Sequence, residues 1–434
     1  MSGRKGRVGG VFLGGFGLAL GLLMVYSLVF EGIGGPGSGG MPVGVVEVPV
    51  LFLERGEWRI FARGVQVCVE PGRGLGRLVE EDEDSLLVET ARSRRPVRFT
   101  WHGVRGEGQT RDEVHRLLES SRPPVAIVGS SNTVLTVAMA EQLRSDGAGR
   151  PGGGPLLFVP WATSVSLLDL YPGRTFRFCS NNQREAELLV EGLKAHSDVK
   201  GPRRAVMVVD RLDPYSVDLA ACFRRAIAAT FPTAEIVDSA GPGANAEQGR
   251  AKAIWREVTE GPGGETWVVL PLQNEPARRM LTSLNGAAPG RHDAKARPVS
   301  VICGDSIGLT TLQGFANQLV FPVWSAATVG NLSGPDALEE DVQQQAEIAA
   351  VVLIGLDRPG PSPTPDAIRA TLVRSVPSDP APRAPFGRPL AFRPDGEREA
   401  FDPGAVLCLR PDAPGVLVYR DGIWASPRRI GGEP

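Results

Sequence analysis

From residue 125 onward, short continuously apolar runs alternate with stretches at helical spacing, and few architectures accommodate that alternation. The runs are residues 125–128, 156–159, 205–209 and 267–270, with 299–303 a further one interrupted only by Ser300. A run with no polar alternate is covered on both faces, as the strands of a parallel sheet between two helix layers are. Ser130, Ser131 and Asn132 supply polar caps for a helix over residues 133–144, and Leu219, Cys222, Phe223, Ala226 and Ile227 recur at helical spacing. A helix over 342–356, almost wholly apolar on two faces, should be buried; its successor over 365–374 opens with Pro in the first turn. Two such series predict an α/β chain of two lobes. Gly- and Pro-rich stretches at 147–154, 241–243, 261–264 and 358–364 read as surface loops, and the acidic run 80–84 as a solvated loop.

The 434 residues allow two or three domains or one large two-lobed body. A 42% hydrophobic and 22% charged composition is that of a folded chain, and a net charge of -2 lacks the basic excess that binds phosphates, so no nucleic-acid partner is expected. Residues 8–30 carry no charge and follow Arg4, Lys5 and Arg7. At about 1.5 Å per residue they would cross a hydrocarbon core of roughly 30 Å. With the basic end held in the cytoplasm, residues 1–30 read as an uncleaved signal-anchor helix in the cell membrane. The body then lies in the periplasm or outside the cell, and a signal peptide cut near residues 27–34 is the alternative. Residues 31–45 are a Gly-rich linker.

Chemistry-bearing motifs are few. Residues 304–308 match the G-x-S-x-G turn of α/β-hydrolases, but His102, His115, His196 and His292 all precede Ser306, whereas that fold places its base after the serine. No enzyme activity and no catalytic residue are expected. The histidines have no ligand spacing, so no metal is expected; no phosphate-binding loop or dinucleotide fingerprint is present, so no cofactor is expected. Cysteines 68, 179, 222, 303 and 408 are widely spaced and read as isolated buried thiols, with one disulfide as the alternative.

The runs end in polar tips: Gly129-Ser130-Ser131, Pro160-Trp161-Ala162-Thr163-Ser164, residues 210–215, Gln273-Asn274-Glu275 and Gly304-Asp305-Ser306. Ligands of open parallel sheets bind beyond such ends. The order of these tips, with Phe176-Arg177-Phe178 between the second and third, resembles type I periplasmic binding proteins. The likeness is to the leucine/isoleucine/valine-binding branch of ABC-transporter substrate-binding proteins. Residues 59–67 look like that family's first helix, and residues 387–396 like its closing strand and turn.

The resemblance implies two Rossmann-like lobes with parallel sheets joined by a three-crossing hinge. The first lobe would span 46–175 and 321–388, the second 176–320, with 389–434 its closing segment and tail. Crossings would fall near residues 175–180, 319–324 and 385–392. It also implies a small polar ligand, often an amino acid. Ser130 or Ser131 and Thr163, with backbone from Trp161, would hold the ligand's carboxylate; Tyr215 and Asp305 would come from the other lobe, Asp305 pairing with an ammonium. Ala162 and Gln273 complete the expected site. The sequence departs from the family in the irregular, acidic stretch before residue 97, in Trp101-His102, in a shortened loop after Gly129, and at Trp161, where a small residue is usual. The implied function is a membrane-tethered solute-binding protein that delivers its ligand to an ABC permease. The alternative is a non-transport ligand sensor or interaction module of the same fold, which a permanent anchor suits better than a diffusing carrier.

Overall fold

Two sheets organise the chain, each covered by helices on both faces. The structure, a computed structural model, describes residues 44–425 apart from 148, 151–152, 197–200, 240–245, 262, 289–297, 328–339, 358–362, 374–391, 398–404, 412–415 and 421–422. The first lobe opens with β1 (Val46–Phe52), α1 (Arg55–Val69), β2 (Gly76–Glu81), β3 (Ser85–Thr90), β4 (Pro96–Gly103) and α2 (Glu107–Leu118). It continues through β5 (Ala126–Val128), α3 (Thr133–Gly147), β6 (Leu156–Val159), α4 (Leu167–Leu170) and β7 (Thr175–Arg177). The second lobe holds α5 (Asn182–Ala195), β8 (Arg204–Met207), α6 (Pro214–Thr230), β9 (Glu235–Asp238), α7 (Ala246–Glu260) and β10 (Thr266–Leu270). After it come α8 (Asn274–Ala287), β11 (Val299–Cys303), α9 (Leu309–Gly314) and β12 (Val323–Ala327). Helices α10 (Glu340–Leu356) and α11 (Pro365–Leu372) return to the first lobe, and β13 (Ala405–Leu409), β14 (Val416–Arg420) and β15 (Ile423–Ala425) extend the second sheet.

The first sheet runs β2-β3-β4-β1-β5-β6-β7 and the second β15-β14-β13-β12-β11-β10-β8-β9. Burial explains why the strands read as unbroken apolar runs. Val48, Val50, Val128 and Phe158 face the core shared with α1 and α10, while Leu51, Ile127 and Leu157 face the one shared with α2 and α3. In the second sheet Val268, Leu270 and Val301 point toward α7 and α8, and Trp267, Val269 and Ile302 toward α5 and α6. Helix α1 also lies against α10 so closely that a Cβ on Gly64 would stand 2.6 Å from the Ala346 amide nitrogen. Only glycine fits there.

The sheets are mixed rather than parallel throughout. Strands β2, β3 and β4 pair antiparallel, as do β12, β13, β14 and β15. Short turns link β2 to β3 and β3 to β4, which only antiparallel neighbours permit. The stretch before residue 97 is therefore a hairpin and not irregular. Its edge strand β2 is largely exposed and charged, so it shows no apolar run, while Leu86, Val88 and Thr90 of β3 face inward alternately. The acidic run is likewise only partly loop: Glu80 and Glu81 sit on β2, and Glu83 and Asp84 pair with Arg55.

The chain first passes between lobes after Arg177, since α5 from Asn182 packs in the second lobe's core. The second passage comes after Ala327 and not at 319–324, because β12 hydrogen-bonds to β11 and β13 inside the second sheet. The third follows Glu397 and not 385–392: Phe392 is wholly buried in the first lobe's core and bridges Val373. Both apolar segments satisfy the local pattern for either lobe, and pairing decides between them. All five cysteines are buried, and none is in a disulfide. Among the described residues no helix is long and apolar enough to cross a membrane; the expected anchor and nearly all of the linker, residues 1–43, lie outside them.

Candidate functional site

Between the lobes lies a cavity of about 420 Å³ whose walls are the carboxyl ends of the central strands. The first lobe contributes Leu53, Glu57 and Ile60 after β1, Ser131, Asn132 and Thr133 after β5, Trp161 after β6, and Asp341 and Gln345 from α10. From the second come Tyr215 at the start of α6, Gln273 and Asn274 at α8, and Asp305, Ser306 and residues 308–311 around α9. The arrangement follows from parallel strands whose helices start at the same edge, so successive tips converge. A hydrogen bond joins the two lobes nearby: the Val165 amide donates to Asp218 on α6 at 3.1 Å.

Local structure fixes each wall. Ser130 Oγ accepts the Asn132 amide at 3.1 Å, and Asn132 Oδ1 caps Leu135 at 3.2 Å, so the turn after β5 leaves Ser131 on the surface of the cleft. The Ser131 hydroxyl donates to Glu57 Oε1, and Glu57 Oε2 accepts the Leu53 amide at 3.0 Å. Opposite, the Tyr215 hydroxyl donates to Asp305 Oδ1 at 3.1 Å. The Asp305 amide donates to Glu185 Oε1 at 2.9 Å, and Glu185 is wholly buried. Ser306 Oγ donates to the Leu272 carbonyl at 2.6 Å, which ties it to the loop after β10.

The cleft is acidic. Burial pushes the Glu57 carboxyl up to about 7, against the two backbone hydrogen bonds at Leu53 and Glu54 and with the help of Glu54 and Asp341. Burial also raises Asp305 to about 6, opposed by the Tyr215 hydroxyl. Glu185 is raised well above the carboxylate range by burial and then by Asp305, and Tyr215 rises for the same two causes. Among the described residues that line the cavity, none is Lys or Arg. Among the described residues no group of His, Cys, Asp and Glu is arranged to hold a metal ion.

The structure brings Ser131, Trp161, Tyr215, Gln273 and Asp305 to one cleft. It does not bring Ser130, Ala162 and Thr163 to its surface. Ala162 is buried in the core beside α3, and Ser130 is wholly buried with its hydroxyl turned to the backbone. Thr163 is buried too, its carbonyl accepting from Arg177 and Asn182 and its hydroxyl without a partner. Sequence reasoning missed Glu57 and Gln345. The tip rule, applied to the apolar run 48–52, leads to residues 53–57 and would have reached Glu57. Gln343, Gln344 and Gln345 at the head of a helix that is apolar beyond Glu347 were a second signal. Nothing local marks Glu185, whose place beneath Asp305 comes from contact across 120 residues.

No protein-family model and no curated protein matches the sequence. Solved structures do match the fold. A leucine-binding protein from Thermotoga maritima is 12% identical with a TM-score of 0.59, over 88% of this chain and 97% of that one. An ABC-transporter substrate-binding protein from Desulfitobacterium hafniense, in complex with Leu, is 16% identical with a TM-score of 0.58, over 88% and 99%. A solute-binding protein of an ABC transporter from R. palustris, in complex with benzoate, is 12% identical with a TM-score of 0.61, over 90% and 100%. The chain thus has the type I periplasmic binding fold that its tip order resembles, and these neighbours are binding proteins rather than enzymes.

Proposed function

We propose that this chain is an extracytoplasmic solute-binding protein, tethered by its N-terminal segment, that closes two lobes on a small polar ligand and delivers it to an ABC-type permease. The observation that carries the reading is the cavity between the lobes, walled by strand tips from both sheets. Its size suits a metabolite, and Asp305 on the second lobe suits an ammonium of an amino acid or a related compound. The neighbours bind leucine or benzoate in the same fold, which supports a binding role without chemistry.

A thermal-shift screen of amino acids and related metabolites on the full-length protein tests binding. A ligand at 100 times its Kd adds about 2.7 kcal/mol of stability, and a flat response across the screen would reject the reading. Tethering is tested separately. Protease added outside spheroplasts should digest the body, and alkaline carbonate should leave it with the membrane.

A further inference from the structure

The place that Glu57 takes in the cleft narrows the class of solute, an inference that rests on the solute-binding reading above. We propose that the cleft takes a small amine that lacks a carboxylate and carries a positive charge at each end, one ammonium meeting Glu57 and the other Asp305. The resemblance assigns the hydroxyl after β5 to a ligand's carboxylate. In this chain the Ser131 hydroxyl already donates to Glu57, whose other oxygen is held by the Leu53 amide. The protein's own carboxyl therefore occupies the hydroxyl that the resemblance gives to a ligand's carboxylate, and once Glu57 is ionised, above pH about 7, a second anion there would meet like charge.

The other lining groups point the same way. Gln345 is 3% exposed, lines the cleft, and its Oε1 has no hydrogen-bond partner. A buried acceptor of this kind calls for an N–H donor. On the opposite wall Asp305 presents a second carboxylate, oriented by Tyr215 and by the bond from its own amide to Glu185. With no Lys or Arg among the described lining residues, a carboxylate-bearing ligand finds no fixed counter-charge, whereas a diamine gives each wall a hydrogen-bonded partner. Leu53, Ile60 and the Trp161 ring add apolar and aromatic surface for a short hydrocarbon body, and an indole face also attracts a cation.

The test is calorimetric titration of the full-length protein with 1,3-diaminopropane, 1,4-diaminobutane, 1,5-diaminopentane, butylamine, leucine and benzoate. At least one diamine should bind, butylamine should bind roughly tenfold or more weakly, and leucine and benzoate should not bind. Glu57→Gln and Asp305→Asn should each weaken the diamine by roughly thirtyfold or more, the factor corresponding to a charge left unpaired in a dry site. Thermal unfolding of each unliganded variant checks that it folds; if Asp305→Asn does not, Glu57→Gln decides alone. Binding of leucine or benzoate with silence toward the diamines overturns this inference and leaves the solute-binding reading intact. So does diamine binding that neither substitution affects. Silence toward all six probes also overturns it, and only a flat response across the wider metabolite screen removes the binding reading as well.

Discussion

The guanidinium of Arg177, wholly buried, lies 3.4 Å from the carboxylate of Glu397 and ties the first passage between the lobes to the third. The Arg177 amide donates to the Gly396 carbonyl at 3.2 Å, and Asn181 Nδ2 donates to Glu397 Oε1 at 3.3 Å. Arg177 Nη1 also reaches the carbonyls of Thr163 and Ser164 at 3.1 and 2.8 Å, which links the hinge to the loop that carries Trp161. Removing the acid strands a buried cation. Glu397→Ala should therefore cost about 1 to 3 kcal/mol in urea unfolding, and Glu397→Gln less, because an amide oxygen still accepts from Asn181. An unchanged midpoint in Glu397→Ala would show the pair to be incidental.

Asp305 and Thr163 should separate cleanly in a binding assay. Asp305 faces the cleft, so Asp305→Ala should cost roughly 2 to 5 kcal/mol with an ammonium-bearing ligand. Thr163 is buried away from the lining with an unpartnered hydroxyl. Thr163→Val keeps its shape and removes that hydroxyl, so affinity should stay within about 0.5 kcal/mol and stability should hold or rise by about 1. A large loss of affinity in Thr163→Val would return this residue to the site.

Stability of the unliganded protein should fall as pH rises from about 4 to 7. Asp305 and Glu57 hold their protons in the folded state up to about 6 and 7, against ordinary values of 3.8 and 4.5. Between those limits the folded chain binds more protons than the unfolded one, so the contribution is fully present below the unfolded values and is lost as pH passes the folded ones. Each group contributes no more than about 3 kcal/mol to that slope. Glu57→Gln and Asp305→Asn should each flatten it, as read from urea midpoints across the range. A slope identical in both variants would assign it elsewhere. Affinity for a cation should move the opposite way and strengthen over the same interval, as the two carboxylates ionise.

Gly64 should tolerate no side chain. Gly64→Ala places a methyl against the α10 backbone, and overpacking of this kind costs about 1 to 3 kcal/mol. Because α10 carries Gln345 and Asp341 to the cleft, the same change should also weaken ligand binding. Loss of stability with unaltered affinity would mean that α10 shifts without moving the site.

The two-lobed α/β architecture was legible in the chain because strands covered on both faces are apolar at nearly every position, and a run such as residues 267–270 fits such a strand. The polar tips were legible for a related reason: where a parallel strand ends, its chain leaves the core and turns into a helix start. Hence Ser131, Trp161, Tyr215, Gln273 and Asp305 could be named in advance. Tertiary structure alone decided the rest. Which side of a tip faces the cleft depends on the turn's own hydrogen bonds, and these send Ser131 outward while burying Ser130 and Thr163. Whether β12 closes the second sheet or opens the return depends on pairing with a strand some 80 residues later, for which an apolar run carries no address. The acid that meets Ser131 comes from the first helix and the acid beneath Asp305 from the fifth, both brought there by packing across long stretches of chain. Local sequence sets what a segment can bury; only the folded chain sets which charges then face one another.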